Sequence, residues 1–152
     1  MTVDVTTQTD IDRPRAEVAA YASDPDNATA WYENIRSVRW ESSPPATVGS
    51  RIAFTARFLG RELTYTYQVR EIVADQRFVM STAQGPFPME TTYTWEDIPS
   101  GGTRMTLRNS GAPTGFSRMA TPILAAAMRR ANRKDLAQLK ALLETPGTNT
   151  PP

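Results

Sequence analysis

Apolar and polar residues alternate from the first residues of the chain. Val3, Val5, Thr7, Thr9 and Ile11 stand against Thr2, Asp4, Thr6, Gln8 and Asp10. Period-two alternation of β-branched residues predicts a half-buried strand over residues 2–11. Asp12-Arg13-Pro14 ends it, and Pro14 suits a first helical turn because its missing N–H would find no partner there. A short helix over Pro14–Ala22 puts Val18 and Tyr21 on one side. Asp24-Pro25-Asp26-Asn27 breaks that helix, and a second short one is expected to run through Trp31.

From Ile35 to Leu107 the pattern is strand after strand: Ile35–Glu41, Arg51–Phe58, Arg61–Val73, Arg77–Ala83, Met89–Glu96 and Thr103–Asn109. Leu59-Gly60 is a two-residue link of the kind that makes a tight hairpin. Such a turn sets the register, so Phe58 faces Arg61, Ala56 faces Leu63, Phe54 faces Tyr65 and Ile52 faces Tyr67. Directly opposed residues share a face, which gathers Ile52, Phe54, Leu63, Tyr65 and Tyr67 on one side and leaves the other polar. Trp95 is expected opposite Met105, and Tyr93 opposite Leu107. The long helical pattern comes last, over Phe116–Glu144. Its apolar stripe runs through Phe116, Met119, Ala120, Ile123, Ala127 and Ala131, then through Met128, Leu139, Leu142 and Leu143. Pro122 either kinks this helix, the preferred reading, or starts its main body with Thr121 as N-cap. Residues 1–145 read as one domain and 146–152 as a disordered tail.

Composition narrows the chemistry. The chain has 152 residues, enough to bury a core, and 17 basic against 16 acidic residues leave a net charge of +1. That balance, with arginines scattered among acidic neighbours, gives no electrostatic reason to expect nucleic acid as a partner. Cysteine and histidine are both absent, so thiolate chemistry and any serine–histidine mechanism are excluded, and a zinc site would need carboxylates alone. No metal or cofactor is expected. No stretch approaches the roughly 18 apolar residues of a membrane helix, and no secretory signal stands at the start, so the expected location is the cytoplasm.

Several residues sharpen the succession of strand, two short helices, antiparallel strands and final helix. Asp24…Asn27…Trp31 precedes the second strand, Val48-Gly49-Ser50 opens the third, and Gly60-Arg61 makes its hairpin. Gly102-Thr103-Arg104-Met105-Thr106 opens the last strand, and Asp135-Leu136, Leu139-Lys140 and Leu143-Glu144 close the helix. Over about residues 2–144 the chain resembles the START-like or SRPBCC superfamily, in particular its polyketide cyclase/dehydrase and lipid-transport branch. The resemblance implies an α+β helix-grip fold: a curved antiparallel sheet of six or seven strands around a long C-terminal helix, with two short helices after the first strand. It also implies a hydrophobic cavity between sheet and helix. Members include carriers, receptors and cyclases, so the fold alone names no reaction.

The residues expected to line that cavity are Trp31, Phe54, Tyr65, Tyr67, Met80, Phe87, Met89, Tyr93, Trp95, Met105, Met119 and Ile123. Methionine adapts to irregular shapes and tyrosine adds a hydrogen bond at a fixed point; the bland reading is that all of them fill a core. The expected function is binding of a small lipid-like, aromatic or polyketide-like molecule, by a monomer or homodimer. The alternative is a cyclase or dehydrase working with tyrosine, arginine or carboxylate groups, for which Tyr65, Tyr93 and Glu71 are the candidates. Glu71 enters because strict alternation places it on the face of Val69. A third reading is a protein-interaction module with a filled core.

Overall fold

The computed structural model describes residues 3–84, 88–112 and 121–145, with the side chain of Phe58 left aside. Strand β1 (Val3–Ile11) leads through helix α1 (Arg15–Ala22), a 3₁₀ turn (Pro25–Asn27) and helix α2 (Ala28–Trp31). Then come β2 (Ile35–Trp40), β3 (Arg51–Phe58), β4 (Arg61–Val73), β5 (Arg77–Gln84), β6 (Met89–Asp97) and β7 (Thr103–Gly111), and finally helix α3 (Thr121–Glu144). The seven strands form one antiparallel sheet in the order β1-β7-β6-β5-β4-β3-β2. The first strand thus pairs with the last, and α1 and α2 carry the chain from one edge of the sheet to the other.

Local chemistry accounts for the elements. Arg13 pairs with Glu17 at 2.6 Å across the start of α1, and the Asp24 side chain accepts the Asp26 N–H at 3.0 Å to open the 3₁₀ turn. Leu59 and Gly60 both take positive φ, 51° and 77°, as a two-residue hairpin turn matched to strand twist requires. The β3–β4 register is the expected one, with Ile52 opposite Tyr67, Phe54 opposite Tyr65 and Ala56 opposite Leu63. Trp95 opposes Met105 and Tyr93 opposes Leu107.

One face of the sheet is charged and wet. Arg108 meets Asp4 at 2.6 Å and Arg104 meets Asp10 at 2.9 Å, both across β1–β7. Strict pairing is interrupted at Ile35/Ser37 of β2 and twice in the β4–β5 pair, at Thr66/Tyr67 and Val69/Glu71, and the last of these bears on an expected residue. The β4–β5 pairing slips between Val69 and Glu71, where a bulge adds one residue to β4. Glu71 is thereby turned outward, where it pairs with Arg77 at 2.6 Å. The expectation that Glu71 shares the face of Val69 is corrected by this bulge.

The inward face of α3 also differs from the expected stripe. Leu124, Asn132, Asp135, Leu136, Leu139 and Leu143 are its buried residues, while Ile123 is 61% exposed. With half-buried Met128 included, spacings of three and four run along Leu124, Met128, Asn132, Asp135, Leu139 and Leu143 and define the face once two polar residues are admitted to it. Ile123 lies on the flank of that line. Pro122 stands in the first described turn of α3; a kink before it would fall in residues 113–120, outside the described residues, as does the expected tail. Among the described residues no helix is long and apolar enough to cross a membrane.

Candidate functional site

The buried side chains fall into two clusters instead of one. The larger joins Ile11, Val18, Ala19, Trp31, Trp95, Met105, Leu136, Leu139 and Leu143 with Phe54, Phe78, Met80 and Tyr93. The smaller joins Val3, Val5, Leu63, Tyr65, Met89 and Leu124, and Tyr67 packs against both. Between them lies a cavity of about 180 Å³, bounded by β3, β4, β5 and β6 on one side and by the Leu124–Asp135 stretch of α3 on the other. Ser23, Asp24 and Asn34 border it beside the 3₁₀ turn and α2.

Of the residues expected at this site, Phe54, Tyr65, Tyr67, Met80, Met89 and Tyr93 line the cavity. Trp31, Trp95 and Met105 do not; they are packed in the larger cluster. Their parity is right but their position along the strands is not: Trp95 and Met105 sit in the half of the sheet that α1 and the last turns of α3 fill. Trp31 lies behind Tyr32 and Tyr93, its ring centroid 4.1 Å and 5.7 Å from theirs. Ile123 points away from the cavity, for the reason given by the helix face. Phe87 and Met119 lie outside the described residues. Residues not singled out from the sequence complete the wall, chiefly Tyr32, Leu63, Phe78, Thr91, Asn109, Leu124, Met128, Asn132 and Asp135.

Polar groups gather at one side of this apolar space. The hydroxyls of Tyr32 and Tyr93 stand 2.6 Å apart, and Phe78 stacks on Tyr93 at 5.9 Å. Burial pushes both phenols above their ordinary value, so each stays a neutral donor and acceptor. Tyr67, also raised by burial, is pushed up to about 12. Opposite Met80, Thr91 donates to the Asn109 Oδ1 at 2.7 Å.

The helix contributes the most unusual pair. Asp135 is 3% exposed, and its Oδ1 accepts the backbone N–H of Glu33 at 3.0 Å. Burial pushes its carboxyl up from 3.8 to about 7, the Glu33 N–H offsetting only part of that rise. One turn earlier, Asn132 is 6% exposed and its Nδ2 has no hydrogen-bond partner. A buried amide left so costs about 1–3 kcal/mol. One signal in the sequence marks these two residues: the progression Met128, Asn132, Asp135, Leu139, Leu143 is an unbroken inward line with polar members. Among the described residues no group of acidic side chains is arranged to hold a metal ion.

Comparison with known proteins bears on this geometry. The family described as polyketide cyclase / dehydrase and lipid transport matches residues 2–144. No curated protein matches the chain. Among solved structures, a START superfamily protein from Mycobacterium smegmatis superposes with a TM-score of 0.78 at 12% identity, over 93% of this chain and 97% of that one. The protein TTHA0849 from Thermus thermophilus gives 0.76 at 18% identity, over 92% and 96%. Major latex-like protein 151 from Panax ginseng gives 0.74 at 11% identity, over 95% and 99%. At such identities these likenesses establish the helix-grip fold and no more.

Proposed function

The chain belongs to the polyketide cyclase / dehydrase and lipid-transport family, and on that premise we propose that it holds a small hydrophobic molecule between its sheet and α3. The observation that carries this reading is the division of the core into two clusters with an aromatic and methionine-lined space between them. Apolar side chains left apart in this way forgo contacts that a filled core would make, and a ligand restores them. The volume of about 180 Å³ bears on size. A dry cavity of roughly 150 Å³ accepts benzene, whereas drug-sized ligands take about 300 Å³ or more. A molecule with one ring, or the short end of a longer chain, is therefore the occupant that fits.

Native mass spectrometry of the freshly purified protein is the direct test. A stoichiometric adduct that leaves on denaturation is expected. A ligand-free mass, together with no heat of binding for toluene, indole or naphthalene, would remove the reading.

A second reading has its own support. An acid or base works best with a pKa near the working pH, and Asp135 beside the Tyr32–Tyr93 pair meets that condition without histidine. With Glu71 facing outward, the groups for a cyclase or dehydrase are Asp135 and Tyr93, with Tyr65 farther along the wall. Turnover of a poly-β-ketone by the wild type, lost in Asp135→Asn and in Tyr93→Phe while both remain folded, is the expected signature of that chemistry. Turnover unchanged in both variants would exclude it.

A further inference from the structure

We infer that the ligand carries a carbonyl group whose oxygen is held by two donors from one face of α3, the Asn132 Nδ2–H and the hydroxyl of a protonated Asp135. This rests on the cavity-binding reading and adds the chemical class of the ligand.

Asn132 and Asp135 stand three residues apart, which places their side chains side by side on a helix. Both line the cavity and both are more than nine-tenths buried. The amide of Asn132 has a donor and nothing to receive it. In Asp135, Oδ1 is already an acceptor for the Glu33 N–H, the role of the carbonyl oxygen of a neutral carboxyl. The other oxygen is then the hydroxyl, a donor.

The surroundings keep the proton in place. The groups that face Asp135 are Tyr32 and Glu33, just after α2, and Tyr93 of β6. None of these brings a positive charge, and no described lining residue is lysine or arginine. On β1, the Asp10 carboxylate pairs with Arg104 and its backbone carbonyl accepts from Lys140, which stands more than a helical turn beyond Asp135. Burial without a cation favours the neutral acid, and a carboxylic acid held neutral in an apolar site serves as a hydrogen-bond donor.

Two donors side by side on one helix face select among head groups. A carbonyl oxygen has two lone pairs and accepts both. An ammonium would set its own N–H groups against Asn132 Nδ2–H. A carboxylate would add a negative charge beside Asp135 with no cation to balance it. An alcohol oxygen that accepts both donors leaves its own O–H to be paired elsewhere; if it instead donates to the free oxygen of Asp135 the carboxyl must be ionised, which reverses the expected pH dependence.

The experiment is calorimetric titration with three one-ring probes, acetophenone, 1-phenylethanol and isopropylbenzene, at about pH 6 and about pH 8.5, on either side of the carboxyl's value of about 7. Acetophenone is expected to bind on the order of tenfold tighter than isopropylbenzene at the lower pH, one hydrogen bond to a buried partner being enough for that. The advantage shrinks at the higher pH. Asn132→Leu removes most of it. Asp135→Asn keeps it and frees it from pH, because a carboxamide offers Oδ1 to Glu33 and an N–H to the ligand. Equal binding of acetophenone and isopropylbenzene by the wild type overturns the carbonyl assignment while leaving the cavity reading intact. So does binding of 1-phenylethanol that tightens with pH and is lost in Asp135→Asn. Failure of all three probes to bind protein whose native mass is that of the ligand-free chain overturns both.

Discussion

From Leu136 to Leu143, α3 meets a packed interior; from Leu124 to Asp135 the same helix roofs a cavity. The sheet beneath presents large side chains in both places, so hydrophobicity does not separate the two halves. What differs is the third layer. On the packed side α1 adds Val18 and Ala19, and Trp95 and Met105 fill the remaining space. The Glu144 carboxylate accepts the Asp12 N–H at 2.7 Å, tying the end of α3 to the entry of α1. On the open side the rings of Phe54, Tyr65 and Tyr67 stand 5.7–6.1 Å apart, and the helix answers them with Asn132 and Asp135 in place of two more leucines. A binding protein needs both halves: one holds the helix on the sheet, and the other is released from that duty.

The largest effect expected to sharpen this contrast comes from Asp135. Below its free value of 3.8 the carboxyl is protonated both folded and unfolded, and nothing is lost. As pH climbs toward about 7, the unfolded chain releases a proton that the folded chain keeps, and stability falls. Above that the loss is complete, on the order of 4 kcal/mol. Asp135→Asn is therefore expected to match the wild type at about pH 4 and to exceed it by a few kcal/mol at about pH 8, read from urea midpoints. Parallel profiles would mean that the carboxyl is well solvated and the open half is not dry.

Next in size is truncation on either side of the divide. Leu139→Ala, in the packed half, is expected to cost about 3 kcal/mol, the usual loss for a buried leucine. Met128→Ala, on the half-buried cavity wall, is expected to cost less than about 1 kcal/mol, since its side chain already borders empty space. Denaturant unfolding of both variants checks this, and equal losses would erase the distinction.

The smallest effect comes from adding volume. Ala19→Leu overpacks the filled half and is expected to destabilise by about 2 kcal/mol. Ala131→Leu projects into the cavity, so stability should change by less than about 0.5 kcal/mol while binding of a one-ring probe is lost. Retained binding in Ala131→Leu would move the ligand elsewhere.

Much of the framework was legible in advance because it depends on neighbours in the chain. A two-residue turn at Leu59-Gly60 dictates which residue of β3 opposes which of β4, and the observed pairs follow it. The bulge that turns Glu71 outward left no such mark, since alternation continues through Val69, Glu71 and Val73 on the page. Apolar letters alone run the helix stripe through Ile123. Asn132 and Asp135 fall on the true inward line, and their polarity hid them. Trp95 and Met105 had the right face but the wrong half, because parity reports which side of a sheet a residue occupies and not what is packed above it.

The amino-acid order by itself determined the succession of elements, the faces of most strands and the absence of histidine and cysteine chemistry, which follow from local periodicity and composition; the helix-grip architecture came with the family resemblance. Only the tertiary structure decided that the core splits in two, that about 180 Å³ stays open between the parts, and that a carboxyl and an amide border it. Such a space is the difference between a surface and what covers it. That depends on residues as far apart in the chain as Tyr32, Tyr93 and Asp135, and no periodicity records it.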